Sequence, residues 1–162
     1  MNSVLELNQI LTMSTPELSL YIQHIQSESV SRLVEPFNVQ LKRCYKNIQV
    51  IGWKERKQLS YNSLADLIGK SKNQINNIMA GKSCSKTTLI ILCLALGIHP
   101  IDSISILSSA GYGFNVHEIK DAVLQHALFT YYSVPYELIW KYLTKASIID
   151  RKQYAPATQV ID

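Results

Sequence analysis

The middle of the chain is a series of short helical patterns, and each of them is followed by a glycine. Apolar residues recur there at intervals of three and four, which is the spacing of a helix with one buried face. Glycine adopts the left-handed backbone conformation in which many helices end, so it marks where each helix stops. The predicted helices are 62–68, 71–80, 86–96 and 100–110, which end at Gly69, Gly81, Gly97 and Gly111. This pattern predicts an all-α fold of short helices joined by short turns.

Further helical patterns precede this series. A short apolar stripe at 4–11 is followed by Ser14-Thr15-Pro16-Glu17. That tetrapeptide has the form of a helix start, because a hydroxyl cap precedes a proline at the first helical position. Glu35-Pro36 begins another helix, which either continues as one long helix or breaks near Asn47 or Gly52.

The C-terminal third predicts a helical pair and a tail. The patterns at 116–131 and 135–146 form the pair, and the polar tail contains Pro156, which predicts a frayed end. We therefore expect an N-terminal helical extension (1–42), a central domain (43–110), a C-terminal helical pair (111–149) and a flexible tail (150–162).

The composition indicates a folded protein of a reducing compartment. Apolar residues make up 47% of the 162 residues and charged residues 17%, which is not a disordered composition. The three cysteines form no CxxC pair, so we expect neither a zinc site nor a disulfide framework, and Cys93 is expected to be buried. The N-terminus lacks a basic secretory region, and the most apolar stretch, 89–98, is too short to span a bilayer. We expect a cytoplasmic protein without a membrane segment.

Positive charge is concentrated in the middle of the chain. The formal net charge of the whole chain is only +4. Residues 42–86 contain ten Lys or Arg and two acids, whereas residues 1–41 carry −3 and residues 87–162 carry −1. A basic middle between mildly acidic flanks indicates a polyanionic partner for the middle, and a solvated basic face is the alternative.

Residues 61–81 combine two short helices with a tight turn. In the first helix Leu64, Ala65 and Ile68 share an inner face, and the small Ala65 lets a second helix approach closely. Gly69 makes the turn, and Ser71 is placed to cap the second helix.

The second of these helices has an apolar inner face and an amide-rich outer face. Ile75 and Ile78 are three residues apart and face the core. Asparagine is a poorer helix former than alanine by roughly 0.5 kcal/mol, so three asparagines in five residues indicate a role other than stability. Amides pair with adenine edges and lysine reaches guanine or phosphate, while an indifferent polar surface is the alternative. The outward side chains are Lys72, Asn73, Gln74, Asn76 and Asn77.

This segment resembles the Cro/C1-type, or XRE, helix-turn-helix family. Residues 69–82, GKSKNQINNIMAGK, match the family pattern G-V-S-x-x-x-I-S-x-I-E-x-G-K, and residues 60–69 match its preceding S-Q-x-x-L-A-x-x-L-G. Downstream, 88–98 match the fourth helix of the family, and 100–107 would be the fifth. The resemblance implies a five-helix, lambda-repressor-like core, with the N-terminal extension and the C-terminal helical hairpin added to it.

The resemblance also implies that the second helix of the pair binds double-stranded DNA in the major groove. Lys72, Asn73 and Asn77 stand where members of the family contact bases. Gln74 and Asn76 are neighbouring candidates for the same role.

Other positions are implied to contact the DNA backbone. Lys54 and Lys82 would hold phosphates, and Tyr61 stands where the family usually has a glutamine that contacts the backbone or a base edge. Lys70 replaces the usual valine and Met79 the usual glutamate. The full set expected at the DNA interface is Lys54, Tyr61, Ser71, Lys72, Asn73, Gln74, Asn76, Asn77 and Lys82.

The flanks resemble those of a group of Firmicutes helix-turn-helix proteins. The likeness consists of acidic N-terminal helices, an L-x-x-A-G-Y junction at 107–112 and a C-terminal helical pair. No catalytic pattern accompanies them, because His117-Glu118 lacks the second histidine of HExxH and Asp121 stands where the motif continues. We expect a protein that is not an enzyme and that uses no cofactor and no metal.

We therefore predict a sequence-specific DNA-binding protein, a transcriptional regulator that acts as a homodimer. The alternative is a protein-interaction module that keeps the helix-turn-helix scaffold, such as a phage or mobile-element antagonist of a host protein. The acidic N-terminal helices and the C-terminal aromatic residues motivate this alternative, because those aromatic residues either pack the last two helices or form a dimer or partner surface. They are Phe129, Tyr131, Tyr132, Tyr136, Trp140 and Tyr142.

Overall fold

The computed structural model describes residues 9–47 and 59–157, and every regular element within these ranges is helical. A helical turn at 9–12 precedes the longer helices. These are α1 (Thr15–Val34), α2 (Phe37–Asn47), α3 (Tyr61–Ile68), α4 (Lys72–Met79), α5 (Lys86–Ala95), α6 (Pro100–Ser109), α7 (Ile119–Thr130) and α8 (Tyr136–Lys145). The predicted all-α fold is confirmed for this part of the chain. Residues 48–58, which decide between one long helix and a break, lie outside the described residues, as does most of the stripe at 4–11.

The chain forms two compact units, Met1–Val34 and Glu35–Asp162. The first unit contains α1, and the predicted start of this helix is confirmed. The backbone N–H and the hydroxyl of Ser14 both donate to the carboxylate of Glu17, at 2.8 Å each. The hydrogen bond from the backbone N–H lowers the pKa of Glu17. Leu20, Ile22 and Ile25 are exposed on α1.

Helix α5 is the centre of the second unit. Its side chains are buried all around the helix, from Leu89 to Ala95, because α3, α6, α7 and α8 all pack against it. Cys93 belongs to this buried set, as predicted, and burial raises the pKa of its thiol to about 12.

Helix α2 belongs to the same unit as the central helices. It packs against α6 and α4, and Leu41 is fully buried. Gln40 is buried too, where its Nε2 donates to the hydroxyl of Ser109 and its Oε1 accepts from Ser105, both at 2.7 Å. The sequence predicts residues 35–42 as part of the N-terminal extension. They differ from that expectation because the partners of α2 come about 65 residues later in the chain, as the spacing of Gln40 and Ser105 shows.

The predicted flexible tail is wrong for residues 154–156. Tyr154, Ala155 and Pro156 are buried against the rest of the unit. The hydroxyl of Tyr136 donates to the backbone carbonyl of Tyr154 at 2.7 Å, and Trp140 Nε1 donates to that of Gln153 at 3.3 Å. The segment has no helical periodicity and begins with polar residues. The sequence therefore did not indicate that residues 154–156 are buried. Residues 158–162 lie outside the described residues.

A charged pair joins α7 to the start of α5. Asp121 is only 3% exposed, and its Oδ2 lies 2.6 Å from Nζ of Lys86. The backbone N–H of Asn115 donates to the same oxygen at 2.7 Å. Burial by itself would raise the pKa of Asp121, but the N–H of Asn115 and the ammonium of Lys86 outweigh it and hold the pKa below the ordinary aspartate value of 3.8.

Candidate nucleic-acid interface

Helix α3 forms the inner half of the helix-turn-helix. Ser60 caps it, with its hydroxyl accepting from the N–H of Ser63 at 3.1 Å. Leu64, Ala65 and Ile68 are all buried, so the predicted inner face is confirmed. Ala65 provides little bulk where α4 packs against α3.

Gly69 makes the turn for two separate reasons. Its φ of 63° is left-handed, which was predicted from its place after the helix. A Cβ built on this glycine would also lie 2.6 Å from the backbone oxygen of Ala155 and 2.9 Å from its nitrogen. The C-terminal segment therefore packs directly on the turn, and nothing in the local sequence pattern indicated this contact.

Helix α4 begins with a capping box. The hydroxyl of Ser71 accepts from the backbone N–H of Gln74 at 3.2 Å, and Oε1 of Gln74 accepts from the N–H of Ser71 at 2.9 Å. Ile75, Ile78 and Met79 are buried, which confirms the predicted inner face and extends it by one residue. The helix is thus held by its own cap and by one apolar side.

The outer face of α4 is a surface of amides. Asn73 and Asn77 are four residues apart, so they lie one above the other on the side away from the buried residues, and Asn76 is beside them. Lys72 is also exposed, at the first turn. An amide offers two donors and one acceptor, which is the set that a base edge in the major groove can satisfy.

The other predicted contact residues are placed less uniformly. Ser71 and Gln74 use their oxygens in the capping box, which leaves the Nε2 of Gln74 as an outward donor. Tyr61 is half-buried and its ring packs on Tyr45, with centroids 5.2 Å apart. Lys82 is exposed after the end of α4, and Lys54 lies outside the described residues.

Helix α2 closes the C-terminal end of α4, a contact that the sequence did not reveal. Gly81 has a φ of 90°, and a Cβ there would meet the side chain of Asn38 at 3.1 Å. Nδ2 of Asn38 donates to the backbone carbonyl of Met79 at 3.3 Å. Beyond this point the hydroxyl of Tyr112 donates to the carbonyl of Cys84, which fixes the loop after α4.

The stretch of sequence that contains α4 carries only positive formal charges. The chain has no acidic residue between Asp66 and Asp102. Of the four lysines in that stretch, Lys86 is paired with Asp121, which leaves Lys70, Lys72 and Lys82 around α4. An anion approaching this surface therefore meets lysines and amides without a neighbouring carboxylate in that stretch of sequence.

One lysine was missed as a candidate. Lys70 lines an open pocket of about 230 Å³ on the flank of α4, together with Gln74, Asn77 and Thr88. Its Nζ lies 4.1 Å from the ring centroid of Tyr154. The only feature of the sequence that distinguished Lys70 was that it replaces the usual valine of the family. No feature of the sequence indicated a role for Tyr154.

Comparison with known proteins agrees with this geometry. The family model described as helix-turn-helix matches residues 53–102, which is less than half of the chain. The range includes α3, α4 and α5, so the Cro/C1-type resemblance is confirmed for these residues. Neither the curated proteins nor the solved structures contain a match to the chain. The chain thus contains a helix-turn-helix domain, while the Firmicutes grouping of its flanks stays a prediction.

Two further findings concern residues 9–47 and 59–157. None of the helices there is long and apolar enough to cross a bilayer. In the same ranges, no three His, Cys, Asp or Glu side chains come together in a way that could hold a metal ion.

Proposed function

We propose that this protein binds double-stranded DNA in a sequence-specific way and acts as a transcriptional regulator, with α4 as the recognition helix in the major groove. The observation that carries this proposal is the outer face of α4. Asn73 and Asn77 project from it opposite a fully buried face, on a helix held by a capping box. Asparagines on this face lower the stability of the helix, and a partner that hydrogen-bonds their amides compensates for that loss.

Each contact has a proposed role. Asn73 and Asn77 hydrogen-bond base edges, with Lys72 reaching a guanine or a phosphate at the first turn. Asn76 and the free Nε2 of Gln74 are neighbouring donors. Lys82 holds a phosphate, as does Lys54, while Ser71 and Tyr61 lie at the N-terminal ends of α4 and α3, where backbone contacts position the domain.

We also propose that the protein binds as a homodimer. A single α4 spans only a few base pairs, and helix-turn-helix proteins commonly gain affinity by placing two recognition helices about 34 Å apart on one face of the duplex. Two half-sites of opposite orientation in the selected DNA would support this arrangement.

The test begins with selection of bound duplexes from a random pool, followed by sequencing. Binding of the selected duplex and of a random duplex is then measured by fluorescence anisotropy at increasing salt. We expect affinity for both duplexes to fall steeply with salt, because lysines displace counterions from phosphates. Asn73→Ala should reduce the preference for the selected duplex by about tenfold, with little change on the random duplex.

Two results would contradict the proposal. One is that neither duplex binds at low salt. The other is that the wild-type protein binds both duplexes equally and that Asn73→Ala changes nothing, which would leave a non-specific basic surface.

A second candidate function is a protein-interaction module on the helix-turn-helix scaffold. It is favoured by exposed apolar side chains outside α4. Leu20 on α1 is 66% exposed and Leu138 on α8 is 55% exposed. Tyr142 lies one turn after Leu138 and packs edge-on against Tyr131. A host protein that is captured equally with and without nuclease, and that is lost on Leu138→Ser, would support this function over DNA binding.

A further inference from the structure

The ammonium of Lys70 is held against a ring from the far end of the chain. Nζ of Lys70 lies 4.1 Å from the ring centroid of Tyr154, close enough for attraction to the negative face of the ring. Tyr154 is only 6% exposed. Its hydroxyl hydrogen-bonds that of Thr88 at 2.9 Å, and its backbone carbonyl accepts from Tyr136 at 2.7 Å. Hydrogen bonds thus hold Tyr154 both at its hydroxyl and at its backbone carbonyl, and Lys70 lies over its ring.

The surroundings of this ammonium suit an anion. The pocket beside it is lined by Gln74 and Asn77 from α4, by residues 83–85 and by Thr88. None of the described residues that line it is acidic, and amide and hydroxyl groups supply further donors. Lys70 is half-buried, and its ammonium lies over the ring of Tyr154 beside this pocket.

We infer that Lys70 contacts a backbone phosphate of the DNA duplex and that Tyr154 positions it for this contact. The inference rests on the proposed function, because it concerns the same DNA. An α-helix with its side chains is about 10–12 Å across and the major groove about 12 Å wide, so the flanks of an inserted helix face the sugar–phosphate walls. Lys70 lies on such a flank, in a pocket that Asn77 of the outer face also lines. A phosphate that passes this flank is therefore within reach of its ammonium.

The experiment measures binding of the full-length protein to the selected duplex and to a random duplex over a range of salt. Lys70→Met keeps the length of the stem and removes the charge. The slope of log K against log salt should become shallower by about one, and affinity at about 0.1 M salt should fall roughly threefold to tenfold on both duplexes alike. Lys70→Arg keeps the charge and should keep the wild-type slope.

Lys145→Met is the matched control for net charge. Lys145 is exposed in the last turn of α8, and the substitution removes the same single charge. Its slope should equal that of the wild type. A wild-type slope for Lys70→Met, or an equal loss in both variants, would overturn the inference while the proposed function stood. A wild-type protein that binds neither duplex would overturn both.

The role of Tyr154 is tested by two variants. Tyr154→Phe keeps the ring and should keep the wild-type slope, whereas Tyr154→Leu removes the ring and should make the slope shallower in the same sense as Lys70→Met. Combining Tyr154→Leu with Lys70→Met should change the slope no further. Thermal unfolding shows which variants are folded, and a folded Tyr154→Leu protein with a wild-type slope would overturn the positioning role. If Tyr154→Leu does not fold, Tyr154→Phe with a shallow slope would overturn it.

Discussion

The proposed recognition helix α4 and the C-terminal segment 151–157 meet at the same turn, but they are organised in opposite ways. The structure of helix α4 is determined locally, because its cap, its apolar spacing and its outer face all lie within ten consecutive residues. Segment 151–157 has no periodic pattern and no α-helix. Its position depends on Tyr136, Trp140 and Gly69, which are distant in the chain.

This difference between α4 and segment 151–157 indicates that separate parts of the domain serve stability and the proposed binding. The outer face of α4 is free of packing, so its asparagines can be chosen for a ligand. The turn before α4 is held from behind by Tyr154 and Ala155, which present no residue to the outer face of α4. Substitutions in segment 151–157 should therefore change mainly the free energy of unfolding, and should change binding only where they displace Lys70. Substitutions on the outer face of α4 should change binding.

The largest expected effect is that of Gly69→Ala. A left-handed alanine costs about 1–2 kcal/mol, and forcing its Cβ against the backbone of Ala155 adds about 1–3 kcal/mol. Urea unfolding should thus show a loss of about 2–5 kcal/mol. Gly111→Ala is the control. Gly111 has a φ of 83°, and a Cβ there would meet no atom beyond its chain neighbours within 4 Å, so this variant should lose only the conformational part. Equal losses in both variants would mean that segment 151–157 does not press on the turn.

Tyr154→Ala should have the next largest effect. It removes a buried ring together with its hydrogen bond to Thr88, so we expect a loss of about 3 kcal/mol in the free energy of unfolding. Tyr154→Phe removes the hydroxyl alone and should lose about 1 kcal/mol. If Tyr154→Ala unfolds at the wild-type urea concentration, the segment contributes nothing to stability and the contrast with α4 disappears.

Asp121→Asn tests a second contact between the C-terminal part and the central helices, and its effect should depend on pH. At neutral pH it leaves the ammonium of Lys86 without its carboxylate and should cost about 2 kcal/mol. The pKa of Asp121 is lower in the folded protein than in the unfolded chain, so its stabilisation is complete above the ordinary value of 3.8 and is lost as the pH falls through the lowered pKa. Unfolding curves of the two proteins should therefore converge in acid, and a constant gap would contradict this role.

The smallest effect on stability is expected within α4 itself. Asn73→Ala should leave the free energy of unfolding unchanged or raise it by about 0.5 kcal/mol, because alanine is the better helix former and Asn73 is exposed. Gln74→Ala, one residue later, breaks one half of the capping box and should cost about 0.5–1 kcal/mol. A loss in Asn73→Ala as large as in Gln74→Ala would show that the outer face supports the fold and is not free for a ligand.

Much of this fold could be predicted from local pattern. The starts of α1 and α2, both inner faces around Gly69 and the cap at Ser71 all followed from residues close together in the chain. Such features depend on backbone hydrogen bonds and side-chain spacing within a few residues, so a short stretch of sequence contains all that determines them.

The proposed contact residues on α4 were predicted from the local pattern and the family resemblance, whereas Lys70 and Tyr154 were not predicted. Lys70 was visible only as an unusual residue after the turn glycine, and Tyr154 was concealed in a stretch that begins Arg151-Lys152-Gln153. Neighbouring residues do not explain the position of Lys70 or Tyr154, because the two residues that contact each other are 84 positions apart in the chain.

By itself, the sequence determined where most of the described helices begin and end, which side of α3 and α4 is apolar, and that the outer side of α4 consists of amides and lysine. Only the tertiary structure decided that α2 packs with the central helices through Gln40, and that Tyr154 and Ala155 return to Gly69 and Lys70. The physical reason is that helix formation is a local equilibrium. Packing of a segment without period depends instead on the shape and the free hydrogen-bonding groups of partners that exist only once the rest of the chain has folded.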